Sequence, residues 1–146
     1  TCVICLETTA GQGSSLGSDF RHLGEIVRRV GDRRLGACID TCHVFAAGYD
    51  IRTEKGCRST LDRFSDEVGI DRLKVVHLND SRGPLGSRLD RHTHIGKGAI
   101  GLEAFGFFLE NRIFRGIPMV IETPKKHKGR EMDGANLDIL RKLSGA

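Results

Sequence analysis

No apolar run in the chain approaches the roughly 20 residues that span a bilayer, and the first residues lack the basic-then-apolar order of a secretory signal. A membrane-bound or secreted protein is not expected. Proline occurs only 3 times in 146 residues and 38% of the side chains are apolar, which excludes collagen-like and disordered chains. An even complement of cysteines is also missing. There are 5, in a chain large enough to build a core, so reduced thiols in the cytoplasm are expected rather than a disulfide framework. Cys2 and Cys5 form a C-x-x-C with no second pair to complete a zinc ribbon, and buried packing is the expectation for both. The Gly-x-Gly sequences at 11–13 and 96–98 lack the strand-to-helix context of a dinucleotide or P-loop fingerprint, so no nucleotide cofactor is assigned.

What remains is room for one compact, soluble domain over residues 1–146. Lys and Arg number 23 against 19 Asp and Glu, a net charge of +4 that suits a polyanionic partner without requiring one. The apolar pattern begins almost at once behind Thr1, as in a piece of a longer protein.

Periodicity divides the chain into four strand-then-helix units. Val3 to Leu6 is short and continuously apolar, the pattern of a strand buried on both faces, and Glu7 ends it. Ser18 is the expected N-cap of a helix carrying Phe20, Leu23, Val27 and Val30, which Gly31-Asp32 stops. Leu35 to Ile39 repeats the strand pattern and ends at Asp40; a loop to about Lys55 then leads to a helix marked by Leu61, Phe64 and Val68. Leu73 to Val76 ends at His77, and after a long Gly- and Arg-rich loop Leu102, Phe105, Phe108 and Leu109 mark the third helix. Met119 to Ile121 ends at Glu122, and Leu137, Leu140 and Leu143 mark the last helix. Alternation of this kind predicts an α/β fold with a parallel sheet.

The C-terminal ends of parallel strands lie on one edge, where (β/α)₈ barrels place their active sites. Glu7, Asp40, His77 and Glu122 would therefore converge. One acid or histidine at a strand end is ordinary, but four of four points to a metal site. His43 adds a donor three residues beyond Asp40, and in Asp90-Arg91-His92 an extended backbone would turn Asp90 and His92 to the same side. Carboxylate oxygen combined with imidazole nitrogen suits zinc, manganese or iron better than calcium or magnesium. His22, His94 and His127 are set apart from this group as solvated or phosphate-facing. Arg82, Arg88, Arg91 and Lys97 share the loop of Asp90 and His92, while Lys125, Lys126, Lys128 and Arg130 follow Glu122. Cations beside a metal site suit an anionic substrate such as a phosphodiester backbone.

Four segments carry a resemblance: Leu6 to Gly13, Asp40 to Asp50, His77-Leu78-Asn79-Asp80-Ser81 and Asp90-Arg91-His92 are similar to the signature blocks of endonuclease IV. That family comprises zinc-dependent apurinic/apyrimidinic DNA endonucleases built on a (β/α)₈ TIM barrel. The resemblance implies the C-terminal four βα units of the barrel. It also implies that Glu7, Asp40, His77 and Glu122 hold one zinc, that His43, Asp90 and His92 hold another, and that Glu7 bridges to a third. Two histidines for that third ion would come from strands preceding Thr1. The implied activity is hydrolysis of the phosphodiester 5′ to an abasic site in double-stranded DNA, with Glu7 as catalytic bridging ligand and Arg91 as a phosphate contact. A complete enzyme is expected to be monomeric, whereas four strands alone would expose two edges and associate. Two other readings fit the same residues: a metal-dependent sugar isomerase or epimerase on the same kind of barrel, and a chain that binds zinc and DNA without cleaving.

Overall fold

The computed structural model describes residues 2–145; Thr1, on which the expectation of a longer parent turned, lies outside them. The chain runs β1 (Ile4–Glu7), α1 (Phe20–Val30), β2 (Leu35–Asp40), α2 (Thr41–Ala47), α3 (Glu54–Glu67) and β3 (Leu73–His77). It continues through β4 (Asp80–Ser81), β5 (His92–Thr93), α4 (Leu102–Glu110), β6 (Met119–Val120), β7 (Lys126–His127), β8 (Arg130–Glu131) and α5 (Asp133–Leu143). Strands β1, β2, β3 and β6 form a parallel sheet in that order, and the helices cross over between them. Among the described residues no helix is long and apolar enough to cross a membrane.

Position in the sheet explains the burial of each strand. Every residue of β2 is buried, because β1 and β3 cover both of its edges. Leu35, Ala37 and Ile39 join the apolar core, and alternation puts Gly36, Cys38 and Asp40 on the other face. The expectation that β1 is buried on both faces is corrected. Ile4 remains 65% exposed, since among the described residues β1 pairs with β2 alone. The same geometry leaves Cys2 exposed and Cys5 half-buried, so neither is the core residue expected; all five cysteines are free thiols.

Phe20 joins the helical layer together. It stacks on Tyr49 with ring centroids 4.3 Å apart and meets Phe64 edge-on at 5.4 Å. Helices α1 and α3 approach so closely at Gly24 that a Cβ there would strike the Glu67 carbonyl.

Three boundaries differ from the sequence pattern. The N-cap of α1 is Asp19, whose carboxylate accepts the Arg21 N–H at 3.0 Å, rather than Ser18. The expected loop from Asp40 to Lys55 contains α2, because the Asp40 carboxylate caps it by accepting the His43 N–H at 3.0 Å. The fourth strand pairs only at Met119 and Val120; Ile121 and Glu122 run on unpaired from an open edge.

Asp19 supplies a test of this local logic. Its carboxyl is lowered to about 2, first by the hydrogen bonds from the Arg21 side chain. A depressed acid stabilises above its unfolded value and loses that contribution as pH falls through the folded one. Asp19→Ala should cost about 1 kcal/mol near neutral pH, and urea titrations of the two proteins should converge as pH falls from about 4 towards 2. A difference of the same size at pH 5 and at pH 2 would exclude the charged cap.

Candidate metal centre

The site grows from the end of β2. Asp40 is completely buried, and a carboxylate without solvent is stable only when its oxygens are occupied. Oδ1 accepts the His43 N–H, and Oδ2 accepts the Asn79 Nδ2 amide at 2.6 Å. The Asp40 N–H donates to the Thr8 hydroxyl at 3.0 Å. Asn79, itself buried, uses its Oδ1 to accept the Glu122 N–H at 2.7 Å, which ties the unpaired exit of β6 to β2. The Thr41 hydroxyl accepts the Asn79 N–H at 2.8 Å and donates to the Asn79 carbonyl at 2.7 Å. Thr8, Thr41 and Asn79 were given no role from the sequence. The signal was a run of polar residues where an apolar strand ends.

Two groups of donors form around this carboxylate. Glu7, Asp40, His77 and Glu122 each offer one atom within 4.8 Å of the others. His77 Nδ1 stands 3.2 Å from Glu122 Oε2, 3.3 Å from Glu7 Oε1 and 3.5 Å from Asp40 Oδ2. That nitrogen is buried and makes no aligned hydrogen bond to any of them. The second group comprises Asp40, His43 and His92, with Asp90 beside it. Asp90 Oδ1 lies 3.2 Å from His43 Nε2 and 3.3 Å from His92 Nε2, and those two nitrogens are 3.4 Å apart. The sequence put Asp40 in the first group alone, whereas its burial between the two brings it within reach of both.

The far side of each second-group imidazole is held by backbone. His43 Nδ1 is 2.8 Å from the Thr8 carbonyl, and His92 Nδ1 is 3.2 Å from the Glu122 carbonyl. A carbonyl can only accept, so each Nδ1 carries a proton and each Nε2 is the nitrogen left to ligate a metal.

His92 arrives by a device that periodicity did not reveal. The loop between β3 and α4 folds into a small antiparallel ribbon, with Asp80 opposite Thr93 and Ser81 opposite His92. The buried Asp80 carboxylate draws the ends of that loop together, accepting N–H groups from Ser81 at 2.8 Å, Gly98 at 2.9 Å and Ile100 at 3.1 Å. Only glycine fits at 98, because a Cβ would meet the Ser81 carbonyl and the Asp80 carboxylate.

The charges are strongly coupled. The imidazoles of His43 and then His77, 3.2 and 3.3 Å from its Oε1, hold the Glu7 carboxyl down at about 2. Burial opposes charging of His43, yet Glu7, Asp40 and Asp90 outweigh it and lift the imidazole to about 9. Asp40, the Cys38 thiol and Glu7 push His77 up to about 12. Four carboxylates concentrate negative charge that a divalent cation would neutralise, and an unpartnered buried imidazole nitrogen is the donor such an ion uses.

The remaining candidates lie outside the donor groups. Arg91 is exposed at the rim, its guanidinium donating to the Asp90 carbonyl at 2.7 Å. Lys125 is paired with Asp133 at 2.7 Å, whereas Arg88, Lys128 and Arg130 are exposed. His22 accepts the Gly17 N–H at 3.2 Å, a local contact beside α1.

The sequence profile described as Xylose isomerase-like TIM barrel matches residues 1–143. The chain belongs to that family, and its four βα units are part of such a barrel. Within the family it is a relative of endonuclease IV. It is 51% identical over 142 residues to "Probable endonuclease 4" of Chloroflexus aurantiacus, covering 97% of this chain and 50% of that protein. It is 48% identical over 131 residues to "Apurinic-apyrimidinic endonuclease" of Caenorhabditis elegans, covering 89% and 33%. The crystal structure of endonuclease IV from Thermus thermophilus superposes with a TM-score of 0.82 at 38% identity, over 97% of this chain and 49% of that one. The chain thus spans about half the length of the curated endonuclease 4 relatives.

Two outcomes are expected. Asn79→Ala should lower the affinity for a divalent metal by about 10–100-fold, because it frees the Asp40 carboxylate; isothermal titration with zinc chloride measures this, and unchanged affinity would exclude the role. At pH 8 both His43 and His77 lie below their raised values of about 9 and 12 and are protonated without metal. Binding must displace protons from ring nitrogens, so zinc added to a weakly buffered solution should acidify it, and affinity should climb with pH. His77→Ala should release fewer protons.

Proposed function

We propose that the chain forms the C-terminal four βα units of a cytoplasmic, zinc-dependent DNA-repair endonuclease that hydrolyses the phosphodiester 5′ to abasic sites in double-stranded DNA. The observation that carries this reading is the meeting of seven side chains, Glu7, Asp40, His43, His77, Asp90, His92 and Glu122, at one edge of a parallel sheet. The names of its relatives agree with it.

The donor spacing supports zinc. Ligands of a tetrahedral ion at 2.0–2.1 Å stand about 3.3–3.4 Å apart, and the contacts from His77 Nδ1 span 3.2 to 3.5 Å. Asp90 Oδ1 and the Nε2 atoms of His43 and His92 form a triangle with sides of 3.2, 3.3 and 3.4 Å. Three imidazoles in the set argue against magnesium and calcium, which prefer oxygen. Glu7, Asp40, His77 and Glu122 would hold one ion and His43, Asp90 and His92 another. Glu7 would bridge to a third, whose two further histidines belong to strands outside this chain. Bound zinc supplies Lewis acidity, activating water and offsetting charge on the phosphoryl and departing oxygens.

The chain's own residues do the positioning. Glu7, half-exposed and ionised, has Oε1 within 3.2 Å of His43 and 3.3 Å of His77, so it links the two groups and faces the open edge where a phosphate would lie. The carbonyls of Thr8 and Glu122 fix His43 and His92 in the ligating tautomer. Arg91, at the rim, would contact a phosphate next to the scissile one. An abasic nucleotide reaches such a site at low cost, since it has no base to unstack.

The family description favours a second reading, isomerisation or epimerisation of a sugar. A third is binding of zinc and DNA without cleavage. A chimera joining the first half of the Thermus thermophilus enzyme to this chain separates all three. It should incise an abasic duplex and leave aldoses and ketoses unchanged, and His77→Ala should lower bound zinc and cut incision at least about 100-fold. Sugar isomerisation without incision would favour the second reading; DNA binding without incision would favour the third. The chain by itself should associate through the open edges of β1 and β6 and incise poorly, as size-exclusion chromatography and the same assay would report.

A further inference from the structure

Beside the metal centre lies a cavity of about 600 Å³, within the range of pockets that take a small ligand. It opens between the loop after β3 and the segment after β6, and the start of α5 closes one side. Met132, Ala135 and Ile139 give it an apolar floor, with the core residue Ile95 behind them. Arg82, Lys97 and Lys126 stand around it together with His94 and His127, and no Asp or Glu lines it. The two basic segments, far apart in sequence, thus meet at one opening.

The walls are built. Asn136 is buried, and its Oδ1 accepts the Ile95 N–H at 3.0 Å while its amide donates to the Thr123 hydroxyl and the Met132 carbonyl, each at 3.0 Å. The same amide nitrogen lies 3.2 Å from His94 Nδ1, which places that ring against the buried side chain. The His127 ring packs edge-on against His94 at 5.7 Å. The cations are available: Arg82 and Lys97 have no ion pair among the described residues, and Lys126 has a loose, exposed one with Glu131 at 3.4 Å, worth little in water. The residues that line the cavity also adjoin the donors along the chain. Thr93 follows the donor His92, Arg82 follows Ser81 on the ribbon that carries it, and Pro124 lies two residues beyond Glu122.

Clustered cations above a small apolar floor match a ligand with an anionic group on a flat, weakly polar body. We propose that this cavity is a second binding site, which takes one nucleotide of the DNA strand that crosses the metal centre. Its phosphate meets Arg82, Lys97 and Lys126, and its sugar and base lie on Met132 and Ile139. The assignment rests on the reading of the chain as a DNA enzyme. It makes Lys97, Met132 and Ile139 determinants of how the strand is held, none of them in the donor groups.

Nuclear magnetic resonance of the chimera, isotope-labelled in the residues of this chain, tests it with three probes: inorganic phosphate, deoxyadenosine monophosphate and a short duplex containing an abasic site. The nucleotide and the duplex should each shift the Met132 and Ile139 methyl signals saturably, whereas inorganic phosphate should move only amides near the cations. Lys97→Ala and Arg82→Ala should each weaken nucleotide binding about three- to tenfold and reduce the salt slope of duplex binding by about 1. A duplex that shifts the Asp90 and His92 amides but leaves the Met132 and Ile139 methyls still would overturn the cavity assignment and leave the DNA reading intact. A duplex that fails to bind while the nucleotide still moves the methyls would overturn the DNA reading and leave the cavity as a site for free nucleotides. Equal responses to phosphate and nucleotide, with the floor silent, would reduce the cluster to surface charge.

Discussion

A carboxylate with no access to solvent ends the central strand, and most of the geometry at that edge of the sheet follows from satisfying it. Burying an ionised group costs several kcal/mol unless charge-assisted hydrogen bonds or cations replace water. Asp40 obtains them from three directions: the first turn of α2, the Asn79 amide and the imidazoles of the neighbouring donors. An apolar residue in its place would need none of these partners, and none would then be held in position.

The same constraint orders the surroundings in series. Because Asp40 caps α2, His43 stands one helical turn from the strand end with its ring towards the cluster. Because Asn79 serves Asp40, it is also placed to hold Glu122, and the short β6 needs no long ladder of its own to deliver that residue. Asp80, the next residue, applies the same solution to the long loop, gathering three backbone N–H groups around a second buried carboxylate. Adjacent buried polar residues thus govern two scales, one setting the donors and the other the ribbon that brings in His92. Such networks are rigid only when every member is satisfied, which explains why the single orphan in this cluster, His77 Nδ1, marks the place where an ion fits.

Much of this was legible in the amino-acid order. The four apolar runs ending in Glu7, Asp40, His77 and Glu122 identify the parallel sheet and its functional edge, because a strand's length and a βα unit's spacing are local properties. The D-x-H of Asp90 and His92 was readable for the same reason, since extended backbone puts alternate residues on one side. Other features were hidden. Helix α2 looked like loop because its seven residues show no apolar periodicity of their own; it exists because a buried carboxylate caps it and the core covers it. Ser18 and Asp19 are both good caps by type, and only the direction in which the chain enters α1 chose between them.

Composition and periodicity by themselves determined that the chain is α/β, that its strands are parallel, and that acids and imidazoles gather where those strands end. Tertiary structure alone decided which donors share a point in space. It put Asp40 between two groups, recruited Thr8, Thr41 and Asn79 to hold them, and joined two distant basic segments around one cavity. The division has a physical cause. Backbone periodicity is set by residues a few positions apart, whereas burial and hydrogen-bond partnership depend on contacts separated here by 30 to 43 positions, from His92 to Glu122 and from Asn79 to Glu122, which no local pattern encodes.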